Sequence, residues 1–432
     1  MRLHRLIFCL VILSGTALPG VPVGAQSPQS LTLENAEKIA IQNHPQIQAA
    51  QDVAAAAGQV TRQARSAYYP AANGSLTGAE AEHDSRIAAG GLNNPIIYDR
   101  YSNGVLVSQL VTDFGRTHEL VKSSSLHAQA EEENVVTARA DVLLRVDRSY
   151  YGVLKAQAML RVAQETVKDR QLVSDQVSEL ANNKLRSGLD VSFANVDLAQ
   201  AQLLLVQTQN DLQASYAELS AALGYSNQRV FQLAELGTPA NPPADETTMI
   251  QDALRDRPEL IGQKLNVSSA QSYVTAERDL SLPSISAVGA AGLTPVHQQE
   301  LSPRYAAAGF NVNIPIFNGH LYSALRGEAD AKARAQEQYL RAAQNEVARD
   351  VQRAWLDANS GYQRLGLTNQ LLAQASRAVD LAQARYKLGL SSIVELSQAQ
   401  LNKTQAEIAQ ASARYDYQAE LANLAYQSGQ IR

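Results

Sequence analysis

The stretch Leu33-Glu34-Asn35-Ala36 to Asn43-His44-Pro45-Gln46-Ile47 is written a second time, as Ile250-Gln251-Asp252-Ala253 to Asp256-Arg257-Pro258-Glu259-Leu260. Pro45 and Pro70 thereby recur as Pro258 and Pro283, each 213 residues on, and both copies then run into a very long stretch without proline. Further along, Asp113-Phe114-Gly115 answers to Phe317-Asn318-Gly319, Tyr151 to Trp355, and Ser187-Gly188-Leu189 to Leu388-Gly389-Leu390. A repeat of this length is a duplicated architectural unit, so one fold is used twice. The division it implies is a leader at 1–25, a first unit at 26–236 and a second at 237–432, each unit holding helices plus two strands.

Residues 1–25 have the layout of a secretory signal: Arg2 and Arg5, an apolar run from Leu6 to Leu13, and a small-residue site ending Val23-Gly24-Ala25. The mature chain is expected to start at Gln26. Cys9, the only cysteine, lies in the apolar run, so neither disulfides nor a thiolate metal site are expected. Loss of two arginines and no acids takes the net charge from -5 to -7, an unfavourable balance for nucleic acid. No other segment approaches the roughly 18 to 20 consecutive apolar residues of a membrane helix. A membrane crossing would have to be made by β-strands.

Proline is absent from Ile96 to Thr238 and from Ile316 to Arg432, where Ala, Gln, Leu, Glu and Arg dominate. These are long helices. Large apolar residues fall every seven positions: Val146, Val153, Leu160 and Val167; Val191, Leu198, Leu205, Leu212 and Leu219; Val351, Leu365, Leu372, Val379 and Tyr386, with Ala358 in the gap. A strict seven-residue period implies left-handed supercoiling against neighbours. A second register of small residues, Ala194, Ala201, Thr208, Ser215 and Ala222, allows close approach on another face, as in a wall whose helices each have two neighbours. A helix from about Arg116 to Asn182 holds some 67 residues and, at ~1.5 Å rise per residue, is on the order of 100 Å long. That length suits a structure that bridges a gap.

The remainder of each copy reads as strands. In Ala308 to Ile316, Phe310, Val312, Ile314 and Ile316 share one face, and Gly309, Asn311, Asn313 and Pro315 the other. Expected partners are Pro283 to Gly292, Ala71 to Ala81 and Tyr101 to Val111, with exposed loops at Asp84 to Arg100 and Leu293 to Arg304. Four strands cannot close a barrel, since about eight are needed even for a filled one. Several chains must contribute.

Chemistry-bearing motifs are absent. Asp113-Phe114-Gly115 stands without the rest of a kinase signature, and the histidines His44, His83, His118, His127, His297 and His320 show no metal-ligand spacing. No catalytic, cofactor or metal site is expected. The reversals at Ser187-Gly188-Leu189 and Leu388-Gly389-Leu390 read as the tips of helical hairpins, flanked by Lys184, Arg186 and Asp190 and by Arg385, Lys387 and Glu395. A solvated turn explains any one of these charges. The same bare Gly-Leu tip in both copies singles the pair out.

Over nearly the whole mature chain the sequence resembles the TolC-like outer-membrane efflux proteins. The resemblance rests on Leu31-Thr32-Leu33-Glu34-Asn35-Ala36 through Asn43-His44-Pro45, Tyr68-Tyr69-Pro70, Thr112-Asp113-Phe114-Gly115-Arg116, both Gly-Leu tips, and Val394-Glu395-Leu396 followed by Ala399-Gln400. It implies a mainly α protein with a membrane β-barrel: a homotrimer whose twelve-stranded barrel, four strands per chain, sits in outer-membrane lipid on a long periplasmic α-barrel. It further implies an exit duct for an efflux or type I secretion system, fed by an inner-membrane pump through a periplasmic adaptor. The bare glycines at the tips make these the expected place for the adaptor's hairpins to pack. Glu395 is similar to an acid of the family's periplasmic constriction and Tyr386 to a latch position. Gln398 stands in the place of a second acid, and Ser391 in that of a basic residue. The competing reading is a periplasmic coiled-coil adaptor or scaffold, which would share the leader and heptads but not the alternating strands.

Overall fold

The computed structural model describes residues 30–79, 100–235, 237, 239–243, 245–294 and 302–431. The expected leader, His83, His297 and most of both expected strand loops lie outside the described residues. The elements are α1 (Leu33–Asn43), α2 (Pro45–Ser66), β1 (Ala71–Ala79), β2 (Arg100–Thr112), α3 (Arg116–Asn182), α4 (Gly188–Ala222), α5 (Glu246–Asp256), α6 (Pro258–Asp279), β3 (Ser284–Leu293), β4 (Arg304–Asn313), α7 (Leu321–Lys387) and α8 (Ile393–Gln427).

The repeated Asn-His-Pro and Asp-Arg-Pro sites are helix boundaries. Pro45 and Pro258 occupy the first turn of α2 and α6, where a missing N–H costs nothing. His44 Nδ1 accepts from Gln46 N at 3.2 Å, while Arg257 at the equivalent place makes no such cap. The long helices are held mainly by packing. On α3, Val142, Val146, Tyr150 and Val153 are fully buried beside α1 and α4. On α4 the small register of Ala194, Ala201, Thr208 and Ala222 is buried, whereas Val191, Leu198, Leu205 and Leu212 are half-buried. Close backbone approach takes precedence over large side chains in this contact. The α3–α4 hairpin meets the other hairpin chiefly through α3 and α8.

The two copies superpose by sequence with two offsets. Pro45 to Pro258 is 213 residues, but Arg116 to Leu321 and Gly188 to Ile393 are each 205. The first helices, α1 and α5, also match at 213, so Leu33 answers to Glu246 and Ile250 to Glu37, four residues from the correspondence expected from Ala36 and Ala253. The second copy is eight residues shorter between the start of its first strand and its long helix, and this corrects the later correspondences. Phe114 matches Gly319, both in the left-handed region at φ 56° and 62°, and Gly115 matches His320. Tyr150, rather than Tyr151, is the counterpart of Trp355. The Tyr150 hydroxyl lies 2.9 and 2.8 Å from the Leu31 and Ala234 carbonyl oxygens, and Trp355 Nε1 donates to Pro243 O at 2.9 Å. Each aromatic pins extended chain against its long helix.

The strands form one antiparallel sheet in the order β1-β2-β3-β4. Every strand is joined to a helix at the same end of the sheet. β4 stops at Asn313, short of the Ile316 expected from alternation, because its partner β3 begins opposite at Ser284 and Pro315 has no N–H for a ladder. One face carries Leu76, Val105, Val107, Phe310 and Val312, with Asn103 and Gln109 among them; the other, richer in small polar residues, carries Asn73, Ser75, Ser108, Ser286 and Asn311 with Leu106, Leu110 and Val288. Phe310 is 77% exposed, an apolar outer surface with no covering layer among the described residues.

Candidate functional site

Both hairpins reverse by one construction. Leu185 N donates to Leu180 O and Lys184 N to Ala181 O at 2.8 and 2.9 Å; Leu390 N donates to Arg385 O and Gly389 N to Tyr386 O at 2.8 and 3.0 Å. Each is a Schellman turn, and each places one residue in the left-handed region, Lys184 at φ 61° and Gly389 at φ 73°. Three residues later a serine caps the returning helix: Ser187 Oγ accepts from Asp190 N at 3.2 Å and Ser392 Oγ from Glu395 N at 3.4 Å. The equivalent residues are therefore Lys184 with Gly389 and Ser187 with Ser392. Gly188 is the first residue of α4 and the counterpart of Ile393, four positions from the Gly188–Gly389 correspondence expected from the shared Gly-Leu.

The tips present leucines to solvent. Leu185, Leu189, Leu388 and Leu390 are each about two-thirds or more exposed. A Cβ added at Gly188 or Gly389 would meet nothing within 4 Å. Lys184 is exposed, and Lys387 ends α7. Arg385 turns inward on its own hairpin, with Nε 3.1 Å from Glu395 Oε1, and Glu395 is about half exposed.

Arg186 behaves differently. Its guanidinium lies 4.4 Å from the centre of the Tyr386 ring and donates to Tyr386 O at 2.9 Å. It therefore ties the first tip to the second. Tyr386 is only 6% exposed, packed with Val173, Val177, Ala382, Ile393 and Leu396. Burial pushes its phenol pKa up, against the opposing pull of Arg186. The Tyr386 hydroxyl and Ser391 Oγ are both buried without a hydrogen-bond partner among the described residues. Gln398 bonds Asn402 at 3.0 Å and lines a groove with Phe193, Val196, Asp197, Val394 and Leu401. The four gate residues thus divide into an inward pair, buried Tyr386 and half-buried Ser391, and a surface pair, Glu395 and Gln398.

Heptad reading gives no signal for the polar ties above the tips. Arg170, buried on α3, donates to Gln400 of α8, and burial lowers its pKa. Ser397 donates to Asp197, and Ser174 Oγ to Asn195 at 2.8 Å. Their sequence separations, 230 residues for Arg170 and Gln400, put them beyond any local pattern.

A sheet with a bare apolar face, continued at one end by helical hairpins that meet at polar-tied tips, belongs to the class of outer-membrane ducts with a helical extension. Residues 38–225 and 249–430 match the outer membrane efflux protein family, and the chain belongs to it. It is similar to outer membrane efflux protein BepC of Brucella suis biovar 1 (strain 1330), 24% identical over 429 residues that cover 95% of this chain and 87% of that one. It is also similar to outer membrane protein TolC of Vibrio cholerae serotype O1, 24% identical and covering 74% of each chain. Among solved structures, the outer-membrane channel OprN matches with a TM-score of 0.81 at 18% identity, over 92% of this chain and 89% of that one. The chain is accordingly placed in the cell outer membrane with a periplasmic helical extension, and the adaptor reading is set aside.

Proposed function

We propose that three copies of this outer-membrane exit duct assemble into one barrel and passively conduct substrate handed over by an inner-membrane pump and a periplasmic adaptor. The observation that supports trimerisation is the sheet. Four strands with an uncovered apolar face and two open edges, β1 and β4, are too few to close and too apolar to stand in water. Closure of edges across chains satisfies every backbone group in lipid. Native mass spectrometry of the detergent-solubilised protein is expected to show trimers; monomers or dimers alone overturn the assembly.

The adaptor reading rests on the tips. Their exposed leucines and side-chain-free glycines offer an apolar end into which partner hairpins pack, with Lys184, Arg186, Ser187 and Lys387 close by. The gate reading rests on the Arg186–Tyr386 tie, which holds the two tips of one chain together, and on Glu395, which three-fold symmetry would gather into a ring of carboxylates that favours cations. With Gln398 and Ser391 uncharged, closure depends more on Tyr386 packing than on ion pairs.

A further inference from the structure

At the helix-distal end of the sheet one row crosses four strands: Ser75, Gly104, Gly292 and Tyr305. It belongs to the polar face that carries Asn73, Ser108 and Asn311, opposite the apolar face of Phe310 and Val107. Tyr305 does not stand up from this face. Its ring leans back from β4 across β3 to β2, because the two intervening positions are glycine. A Cβ on Gly104 would overlap the Tyr305 hydroxyl and lie 3.3 Å from Cζ; one on Gly292 would lie 2.6 Å from the same hydroxyl. Two glycines aligned across neighbouring strands weaken a sheet, and an aromatic ring lying over them restores packing.

The two glycines differ in what else surrounds them. At Gly292 a Cβ would also run into the Asn103 carbonyl oxygen and lie 2.7 Å from Gly104 Cα, so backbone alone demands glycine there. At Gly104 the backbone neighbour is Ala291 O at 3.1 Å, which is tight, and the remaining obstruction is the movable end of Tyr305. Glycine at 104 is thus needed chiefly to let the ring lie flat. In a closed barrel with the apolar face in lipid, the polar face lines the bore, and the helix-distal end opens outside the cell.

We propose that Tyr305 sets the bore of the duct at its outer mouth: recumbent in the Gly104–Gly292 trough it leaves the lumen wide, and raised from it three such rings narrow the opening. The proposal rests on the duct reading. Lumen geometry at a ring of side chains controls passage by size, so the residue acts on the largest substrate admitted and not on small solutes.

The test uses Ser108→Cys in a Cys9→Ser background, giving the full chain a single thiol. Residue 108 lies on the polar face four positions nearer the helices than Gly104. Intact cells are labelled with a small charged maleimide and with a polymer-linked maleimide comparable in width to the lumen. Gly104→Ala is expected to slow the polymer reagent on the order of tenfold and leave the small one unchanged. Adding Tyr305→Ala is expected to restore the polymer rate. Tyr305→Trp, which leaves both glycines untouched and overfills the trough, is expected to slow the polymer reagent even if Gly104→Ala assembles poorly. Equal polymer rates with and without Tyr305→Trp overturn the proposal, as does slowing by Gly104→Ala that persists without Tyr305. Failure of the small reagent to reach the single thiol in otherwise unaltered protein overturns the duct's facing as well, and so separates the two readings.

Discussion

The two hairpin tips share a backbone and differ in almost every side chain that matters. Both close with a Schellman turn and a serine cap, in the same number of residues. On that common frame the left-handed residue is Lys184 in one and Gly389 in the other. Two positions on, Arg186 has Ser391 as its counterpart: the arginine reaches across to Tyr386, and the serine is half-buried, its oxygen turned inward without a partner among the described residues. Duplication preserved what the backbone requires. The two tips then diverged at positions where side chains leave their own hairpin, which is where asymmetric work, one tip holding the other, has to reside.

The largest expected effect comes from a bulky residue at each tip. Gly188 is helical and open, so Gly188→Trp is accommodated; it is expected to abolish export at unchanged trimer yield. Gly389→Trp is expected to abolish export too, but with lower yield, because a Cβ at φ 73° is strained in addition. Unchanged export in the Gly188 variant would remove the first tip from adaptor contact. Equal yields in the two variants would mean that the left-handed turn at Gly389 is not maintained.

A second contrast between the copies lies deeper. Asp147 on α3 is 5% exposed and faces Glu37 of α1, with Tyr151 beside it; at the equivalent offsets the second copy has Gln352 and Ile250. Burial, then the Glu37 charge and hydrogen bond, push the Asp147 pKa up to about 8, and the same burial and carboxylates push the Tyr151 phenol up to about 12. A carboxyl with a raised folded pKa stabilises most when protonated. Its contribution is complete below the ordinary value of 3.8 and is lost as pH rises toward about 8. The melting temperature is expected to fall between pH 5 and pH 9, and Asp147→Asn to flatten the profile, with its largest effect at pH 9. An identical pH profile in the variant would mean that Asp147 is solvated and carries no burial penalty.

Next in size is the gate. Arg186 crosses hairpins and Arg385 does not, so in planar-bilayer recordings Arg186→Ala is expected to raise conductance on the order of twofold or more, and Arg385→Ala to leave it nearly unchanged. In the same recordings Glu395→Gln is expected to lower cation selectivity. Equal conductance in the two arginine variants would dissolve the cross-tip tie, and unaltered selectivity would place Glu395 off the lumen.

Much of this architecture is legible in the sequence. The expected helix from Arg116 to Asn182 coincides with α3, since proline-free, heptad-bearing sequence has few alternatives. The four strands fall within a few residues of their expected positions, β4 ending early at Asn313, two residues before Pro315. What escapes is register. Matching Gly188 to Gly389 by their shared Gly-Leu displaces the tips by four residues, because a Schellman turn is specified by one left-handed residue and that residue is lysine in one copy. Arg186 is visible as a tip charge, but its partner Tyr386 is 200 residues away and no periodicity links them. Asp147 carries no signal at all, since an acid in a long amphipathic helix ordinarily faces solvent.

The smallest effect tests that account of the register. Among the described residues four helices end in the same turn, with Lys184, Gly224, Gly389 and Gly429 as the left-handed residues; of these four only the first is not glycine. A left-handed Cβ costs roughly 1 kcal/mol, partly offset by the greater freedom of glycine in the unfolded chain. Lys184→Gly is therefore expected to stabilise the first hairpin by about 0.5 kcal/mol, visible as slower proteolysis at the tip or slower amide exchange of Lys184 and Leu185. Gly389→Lys is expected to destabilise the second by a similar amount. Should Lys184→Gly instead quicken exchange, the lysine side chain contributes contacts that outweigh its backbone strain, and the two tips are less alike than their hydrogen bonds indicate.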